Sequence, residues 1–333
     1  MRLSAIGDVA QAFVAVNELK LSQPHLDITW IIGKTEYQLL AHNKDIDFII
    51  FDKDQVVHSY RRIARLLRHR KFDALLLMQY SLRAGLLSLL VKAPLRIGYP
   101  RLFSREFHRL FINRHIEMPE RIHVLDIYYA FAKEVGLKEH INAIPTYYAS
   151  EDAQFAQRHL PKDKRTLLIS PCSSHHFKNW LPQNYAEVAQ IAMQKYDMHV
   201  VLVGGNSRGE QIYEQQILKH LHTPCVSLIG KTNLRQLAAL VAHSHLVIAP
   251  DSAIVHIASA IQTPVIGLYA ATNAERSGPY RYLDQCINLY SEALKKYYRK
   301  TVDDVRWGKH IKKHAAMELI STRSVIEQLD RIM

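Results

Sequence analysis

Two ionisable side chains, Asp251 and His256, stand where an α/β protein holds a ligand. They follow the apolar run 246–249, which is typical of a buried strand, and they lie at the start of a helical pattern of small residues. The backbone amides at the start of such a helix face the carboxyl end of the strand, where they can bind an anion. The pattern predicts a ligand site that also includes Ser252 and Ala253.

Lys178 lies in a second polar segment, 170–182, which follows the first apolar run in the second half of the chain. The hydroxyls of Ser173 and Ser174 and the Lys178 ammonium could bind one phosphate group together. The segment lacks the glycines and the Gly-Lys-Ser/Thr ending of a Walker loop. A polar loop with a solvated lysine is therefore the alternative.

Asp8 and Glu210 are the other candidate carboxylates. We expect Gly7 to let the backbone turn tightly between an apolar strand pattern and a helical pattern. Asp8 then lies at the start of the helix, where it could act in chemistry or simply cap the helix. Gly204 and Gly205 lie at the end of the strand pattern 199–204, and Glu210 follows them. Glu210 could accept hydrogen bonds from sugar hydroxyls. The complete spacing of a dinucleotide-binding fingerprint is absent there.

The basic residues concentrate in segment 60–71 and recur near 101–109. The helical period separates three arginines from three apolar residues, namely Arg61, Arg65 and Arg68 from Ile63, Leu66 and Leu67. The same spacing recurs at Arg101, Arg105 and Arg109. A solvated surface is the alternative to a binding surface. Both clusters lie away from the candidate nucleotide residues, which suggests an anionic acceptor in one half and an activated donor in the other.

The elements that must position these residues alternate as strands and helices, which is typical of βαβ units on parallel sheets. We expect strands at 28–32, 48–51, 74–78, 96–98, 166–170, 199–204, 225–229, 246–249 and 265–269. The rhythm breaks near 140–165. The expected fold is α/β, with two Rossmann-like lobes facing a central cleft. Its parts would be an N-terminal domain, 1–155, a C-terminal domain, 156–310, and a helix, 311–333, that packs back on the N-terminal domain.

The composition limits the class of protein. The 333 residues are 48% hydrophobic and 22% charged, which is ordinary for a folded, soluble protein. No apolar run reaches the length of a spanning helix and no signal-peptide pattern is present, so we expect a cytoplasmic protein. The histidines and three cysteines show no metal-ligand spacing. The net charge of +12 indicates an anionic partner, and a non-enzymatic nucleic-acid-binding protein is a distant alternative.

Four motifs in the same order resemble those of glycosyltransferase family 9, the ADP-heptose:lipopolysaccharide heptosyltransferases. They are Arg-Leu-Ser-Ala-Ile-Gly-Asp-Val at 2–9, Ser-Ser-x-x-x-Lys-x-Trp-x-Pro at 173–182, Asp-Ser-x-x-x-His-x-x-x-Ala at 251–260, and Thr-Asn with Gly-Pro-Tyr at 272–280. Further segments look like the heptosyltransferase I subgroup, which adds the first heptose to Kdo-lipid A: 28–36, 78–83, 104–106, 123–126, 307–308 and 316–320.

The resemblance implies a GT-B fold and inverting transfer without a metal or another cofactor. It implies that Asp8 is the general base and that Lys178, with Ser173 and Ser174, neutralises the departing ADP. The remaining donor contacts would be Glu210, Asp251, Ser252, Ala253 and His256. Ala253 replaces a common glycine and 270–271 is Ala-Ala instead of Gly-Pro, which bears on donor recognition more than on catalysis.

The acceptor implied by the resemblance is Kdo-lipid A, whose carboxylates and phosphates suit arginine. We expect Arg61, Arg62, Arg65 and Arg105 to bind it and to hold the enzyme at the cytoplasmic face of the inner membrane, with no nucleic-acid partner. The alternative within the family is another donor or a later core acceptor.

Overall fold

The computed structural model describes residues 1–103, 107–120 and 122–333, which form two compact units, Met1–Pro145 and Thr146–Met333. Arg105, an expected acceptor contact, lies outside the described residues. The boundary comes ten residues before the expected one, because the helix Ser150–His159 buries Ala156 in the core of the second unit.

The first unit alternates strands and helices, as the sequence predicts. Its strands are β1 Ile28–Gly33, β2 Ile46–Phe51, β3 Ala74–Leu76, β4 Leu95–Gly98 and β5 Arg114–His115. Its helices are α1 Ile6–Ser22, α2 Lys34–Leu40, α3 Val56–Leu67, α4 Leu82–Ser88 and α5 Val124–Lys133, and short 3-10 turns span Arg101–Phe103 and His108–Phe111.

Residues 1–3 join the two parallel ribbons of the first unit, β1-β2 and β3-β4-β5. Gly33 N donates to Leu3 O over 3.0 Å on one side, and Met78 N donates to Met1 O over 3.1 Å on the other. When residues 1–3 are counted as the first strand, the order is the doubly wound 3-2-1-4-5-6. The order reverses beside the end of residues 1–3, and ligands bind at such a point.

The second unit repeats this architecture in one continuous parallel sheet. Its strands are β6 Thr166–Ile169, β7 His199–Leu202, β8 Val226–Ser227, β9 Leu246–Pro250, β10 Val265–Tyr269 and β11 Ile287–Asn288. Its helices are α6 Ser150–His159, α7 Pro182–Tyr196, α8 Arg208–His220, α9 Leu234–Ala242, α10 Ala253–Ala260, α11 Ala274–Ser277, α12 Tyr290–Tyr298 and α13 Thr322–Ile332.

The sheet order in the second unit, β8-β7-β6-β9-β10-β11, is again 3-2-1-4-5-6. All residues of β9 and β10 are buried, because helices cover both faces of a parallel sheet. The order reverses between β6 and β9, so the segments that follow these two strands meet at one edge of the sheet. These segments carry Lys178 and Asp251.

The C-terminal helix, α13, buries Val325 and Leu329 in the core of the second unit. That segment 311–333 also packs back on the N-terminal domain stays a prediction. Two local expectations are corrected. Gly7 lies inside the first turn of α1 and does not form a turn before the helix. Leu66 is exposed, because the face of α3 that is buried in the core is narrow and consists of Ser59, Ile63 and Leu67.

Candidate functional site

The first candidate site lies where residues 1–3 lead into α1. Asp8 is the third residue of α1, and its carboxylate accepts a hydrogen bond from Ala5 N over 3.3 Å. Arg2 Nη2 lies 2.6 Å from Asp8 Oδ2, and Tyr128 OH donates to Asp8 Oδ1 over 3.4 Å. The Asp8 side chain stays one-third exposed, so it combines a cap, an ion pair and access from solvent.

Arg2 fixes this arrangement from inside the unit. Its Nη1 donates to Met78 O over 2.7 Å, and its guanidinium lies 5.8 Å from the centre of the Tyr128 ring. Burial lowers the pKa of Arg2, but Asp8, Tyr128 and Tyr99 raise it above the ordinary value. Arg2 therefore keeps its charge and holds the Asp8 carboxylate in one orientation.

A cavity of about 480 Å³ opens beside this pair at the carboxyl ends of residues 1–3, β1 and β2. The polar side chains that line it include Ser4, Lys34, Glu36, Lys53, Gln79 and Arg83. Lys34 pairs with Asp52 over 2.8 Å. Within the described parts of the chain, neither Lys53 nor Arg83 has a carboxylate within 4 Å. The cavity lining thus carries three cations, Lys34, Lys53 and Arg83, and three carboxylates, Glu36, Asp52 and Asp54. Among the residues described, Lys53 and Arg83 make no direct ion pair, although Lys53 acts on Glu36 from a distance.

Glu36 brings a second carboxyl group to this cavity. Its pKa is raised mainly because the side chain is partly buried. A Cβ at Gly33 would lie 2.3 Å from Glu36 Oε2 and from Leu3 O, so only glycine leaves room for this packing. Glu36, like the other cavity residues, was not among the candidate site residues of the sequence. A polar residue at the end of each strand was the available signal.

The arginines predicted to bind the acceptor lie elsewhere. Arg61 and Arg65 are exposed on α3 and do not line the cavity, and the side chain of Arg62 donates to the backbone oxygen of Ile50. Their role as acceptor contacts stays a prediction.

The second candidate site brings Lys178 and Asp251 together across 73 residues of sequence. Lys178 Nζ lies 2.8 Å from Asp251 Oδ2, and both side chains are about nine-tenths buried. His256 Nε2 lies 3.9 Å from the other carboxylate oxygen. Burial raises the pKa of Asp251, but Lys178, His256 and a hydrogen bond from Thr272 together lower it below the usual value. Asp251 is therefore ionised, and it orients the Lys178 ammonium.

Buried anchors hold the segment that carries Lys178. Asn179 Oδ1 accepts a hydrogen bond from Ser173 N over 2.8 Å, and the fully buried Trp180 donates its indole N–H to Ile320 O over 3.0 Å. Pro182 then begins α7. The Ser173 hydroxyl is used within the turn, where it accepts from His175 N over 3.2 Å, and Ser174 is exposed.

Ser252 precedes α10 as its N-cap without capping it through its side chain. Its buried Oγ has no hydrogen-bond partner among the residues described. Ala253 begins the helix and His256 lies one turn later, so an unused hydroxyl and the helix N-terminus lie beside Lys178. These groups can together bind an anionic phosphate.

Glu210 has a structural role that the sequence did not predict. Its carboxylate accepts hydrogen bonds from Gly205 N over 2.6 Å and from the Ser207 hydroxyl over 2.6 Å, which caps α8 and fixes the glycine segment. A ribose contact for Glu210 stays a prediction. In the parts of the chain that the structure covers, no three His, Cys, Asp or Glu side chains could together hold a metal ion.

The profile described as "Glycosyltransferase family 9 (heptosyltransferase)" matches residues 60–304. The chain belongs to this family. It is also 38% identical over 332 residues to the lipopolysaccharide core heptosyltransferase OpsX of Haemophilus influenzae, which covers all of this chain and 95% of that protein. Identity to lipopolysaccharide heptosyltransferase 3 of Escherichia coli K12 is 26%, with 80% of each chain covered.

Solved structures agree with this assignment at the level of the fold. A family 9 glycosyltransferase from Veillonella parvula has a TM-score of 0.79 at 22% identity, with 99% of this chain and 94% of that chain covered. The E. coli heptosyltransferase WaaC with ADP has a TM-score of 0.72 at 15% identity over the whole of both chains. The expected GT-B fold is confirmed, and the protein is a glycosyltransferase and not the non-enzymatic alternative.

Proposed function

We propose that the enzyme transfers heptose from ADP-L-glycero-D-manno-heptose to the Kdo of Kdo-lipid A, during synthesis of the lipopolysaccharide inner core. Its full-length similarity to a lipopolysaccharide core heptosyltransferase supports the acceptor class. Solved heptosyltransferase structures that hold ADP or ADP-2-deoxy-2-fluoro heptose support the donor class.

The observation that carries the proposal is the buried Lys178–Asp251 pair at the N-terminus of α10. A departing diphosphate needs positive charge that is already oriented when the bond breaks. Lys178 supplies a full charge, and the amides at the start of α10 and the unused Ser252 hydroxyl supply hydrogen bonds. Asp251 holds Lys178 in position and can accept hydrogen bonds from heptose hydroxyls. These groups take the role that a divalent metal ion has in other transferases.

The transfer is a single displacement. A Kdo hydroxyl oxygen forms a bond to C1 of heptose while the bond from C1 to the diphosphate oxygen breaks, so ADP leaves with the electron pair. The hydroxyl proton passes to Asp8. Attack from the face opposite the leaving group inverts the anomeric configuration. Asp8 suits the role of base because its carboxylate is oriented by Arg2 yet remains one-third exposed.

The cavity beside Asp8 suits an anionic sugar. Lys53 and Arg83 line it without a carboxylate partner in the described ranges, and the Kdo carboxylate would provide one. Ser4 and Gln79, which lie 3.4 Å apart, offer hydrogen-bonding groups for sugar hydroxyls.

Release of ADP from ADP-L-glycero-D-manno-heptose, in EDTA and with Kdo-lipid A as acceptor, tests the proposal. We expect turnover by the wild type and an inverted anomeric centre in the product by NMR. An enzyme that binds the donor but transfers only to phosphorylated Kdo or to a later core acceptor would support the alternative within the family. Failure to bind the donor would overturn the donor assignment.

We further propose peripheral contact with the cytoplasmic face of the inner membrane through two adjoining features of the first unit. The basic face of α3 consists of Arg61, Arg65 and Arg68, all exposed. The apolar ridge consists of exposed side chains on and near α4, namely Leu82, Leu86, Leu89, Phe107 and Leu110. Tyr60 OH donates to Arg83 O over 2.9 Å and so joins α3 to α4. No helix in the described ranges is long and apolar enough to span a membrane.

The combination favours an anionic lipid surface as the partner. Apolar side chains can enter the boundary of the acyl chains, and each basic residue near an anionic surface gains about 1 kcal/mol. We expect the enzyme to sediment with phosphatidylglycerol vesicles more than with phosphatidylcholine vesicles. Arg61→Ala/Arg65→Ala should remove that preference and Leu86→Ser/Phe107→Ser should weaken binding to both, whereas Lys219→Ala in the second unit should change neither. Equal sedimentation of all variants would overturn this surface.

A further inference from the structure

Segment 305–311 of the second unit crosses the edge of the sheet that carries Lys178 and Asp251. Ile311 N donates to Ala271 O, 2.8 Å away, just after β10. The ring of His310 lies 6.0 Å from that of Phe177, the residue before Lys178. The segment therefore spans from the end of β10 to the turn that holds Lys178. It lies just beyond the family match, which ends at residue 304.

Arg276, on the turn α11, is held against this segment. Its guanidinium carbon lies 4.2 Å from the centre of the Trp307 ring, which is a close cation–π contact. Gly308 has a φ of +82°, and a Cβ there would lie 3.0 Å from Arg276 Nε. Glycine at this position thus satisfies the backbone and leaves room for the guanidinium.

The electrostatic state of Arg276 differs from that of Lys178. Lys178 has Asp251 at 2.8 Å, whereas Arg276 has no carboxylate within 4 Å in the part of the chain that is described. Its Nε is buried and has no hydrogen-bond partner among those residues. Burying part of a guanidinium and leaving one of its N–H donors without an acceptor costs free energy, and a bound anion would offset that cost.

Arg276 and Lys178 both lower the pKa of the His310 imidazole. Burial is the main reason that the pKa of His310 is lowered to about 4, and Lys178 and Arg276 lower it further. His310 is therefore neutral at physiological pH and adds no charge. Among the described residues, Lys178 is thus paired with a carboxylate and Arg276 is not, and both cations act electrostatically on the His310 ring.

We propose that Arg276, oriented by Trp307 and Gly308, is a second phosphate-binding cation of the donor site. It would contact the diphosphate of the nucleotide sugar together with Lys178 and the N-terminus of α10. This inference rests on the proposed function for the identity of the donor, but the chemistry it requires is a phosphate anion. The leaving diphosphate would then receive two cationic contacts. In the described part of the chain, the Lys178 ammonium is balanced by a carboxylate and the Arg276 guanidinium is not.

Calorimetric titration of the full-length enzyme with ADP, pyrophosphate and adenosine, without acceptor, tests the assignment. Loss of a hydrogen bond to a charged group should weaken ADP and pyrophosphate binding by Arg276→Gln about tenfold or more. Adenosine binding should be unchanged. Arg276→Lys should lose less, because it keeps the charge, and Trp307→Phe should lose less again. Arg323→Gln, which removes an exposed arginine of α13, is the matched control and should bind like the wild type.

Unchanged ADP and pyrophosphate affinities in Arg276→Gln would overturn the assignment, as would an equal loss for adenosine, which would indicate a structural role. A raised KM for the acceptor with unchanged ADP affinity would also overturn it and indicate an acceptor phosphate. Wild-type enzyme that binds pyrophosphate through Arg276 but does not bind ADP would support this inference while refuting the proposed donor. Thermal unfolding of each variant separates these outcomes from misfolding.

Discussion

The two units have the same strand order, and at the point where that order reverses each carries an aspartate paired with a cation. In the first unit, Asp8 lies on a helix, pairs with Arg2 and remains one-third exposed. In the second, Asp251 lies between a strand and a helix, pairs with Lys178 and is almost fully buried. The same topology therefore gives two aspartates of different exposure. Under the proposed mechanism, the exposed Asp8 can exchange a proton with solvent and substrate, whereas the buried Asp251 stays ionised, holds Lys178 and accepts hydrogen bonds.

Asp8→Asn should have the largest effect on activity. The amide can still accept a hydrogen bond from Ala5 N, but it cannot accept the proton of the acceptor hydroxyl. We expect kcat to fall by about 10² to 10⁴, the usual contribution of a general base. ADP affinity, measured by calorimetry, should stay at the wild-type value. Near-normal turnover, with the fold shown intact by circular dichroism, would remove Asp8 from the role of base.

Lys178→Gln should break the second pair in a different manner. Removing oriented positive charge from the leaving group should lower kcat/KM by about 10² to 10³. The change also leaves Asp251 buried without its main cation, which should cost about 3 kcal/mol of unfolding free energy in urea.

The double variant Lys178→Gln/Asp251→Asn separates the two effects of Lys178. It should recover most of the stability, because no unpaired charge stays buried, while activity remains low. Recovery of activity together with stability would mean that Lys178 acts only as a structural partner of Asp251.

Each unit also has a histidine with a lowered pKa. Burial is the main reason that the pKa of His108 in the first unit and that of His310 in the second are both about 4. His108 Nε2 accepts a hydrogen bond from Tyr99 N over 3.0 Å, so the ring must stay neutral in the folded protein. The unfolded chain binds more protons than the folded protein between the folded pKa of about 4 and the ordinary value of 6.5. Stability due to this group is therefore present at neutral pH and is lost as the pH falls through that window.

Between pH 7 and 4.5, the unfolding free energy of His108→Gln should fall by about 2 kcal/mol less than that of the wild type. Urea unfolding at a series of pH values measures this difference. His69→Gln, a change at an exposed position, is the control and should leave the pH dependence unchanged. Parallel curves for wild type and His108→Gln would show that His108 titrates normally in the folded protein.

The second site was more predictable from sequence than the first. Asp251 and His256 directly follow a strand pattern, and the ends of neighbouring parallel strands meet, so strand position alone placed them near Lys178. Contacts between distant segments had no such signal. Nothing in the periodicity indicates that Trp307 stacks on Arg276 or that Gln79 donates to Ser4, because each contact depends on how separate βαβ units pack.

The first unit was less predictable from sequence, for physical reasons. The helical spacing of Leu66 with Ile63 and Leu67 predicted that all three side chains would be buried. In the structure Leu66 lies at the edge of the buried face of α3 and is exposed. The acceptor assignment of the arginines in segment 60–71 rests on their number and their shared helix face, and it stays a prediction. The cavity is instead lined by single polar residues at the ends of several strands, which a count of charge along the sequence does not detect.

The smallest expected effect distinguishes the cavity cation Arg83 from the exposed arginines of α3, Arg61 and Arg65. Arg83→Ala removes a cavity guanidinium and should raise KM for a soluble Kdo acceptor about tenfold, with little change in kcat or ADP affinity. Arg61→Ala/Arg65→Ala removes more charge from the same unit but lies outside the cavity, so KM for that soluble acceptor should not change. The reverse result would mean that the exposed face of α3 binds the sugar itself. Because membranes are absent from this assay, it distinguishes recognition of the acceptor sugar from attraction to a lipid surface.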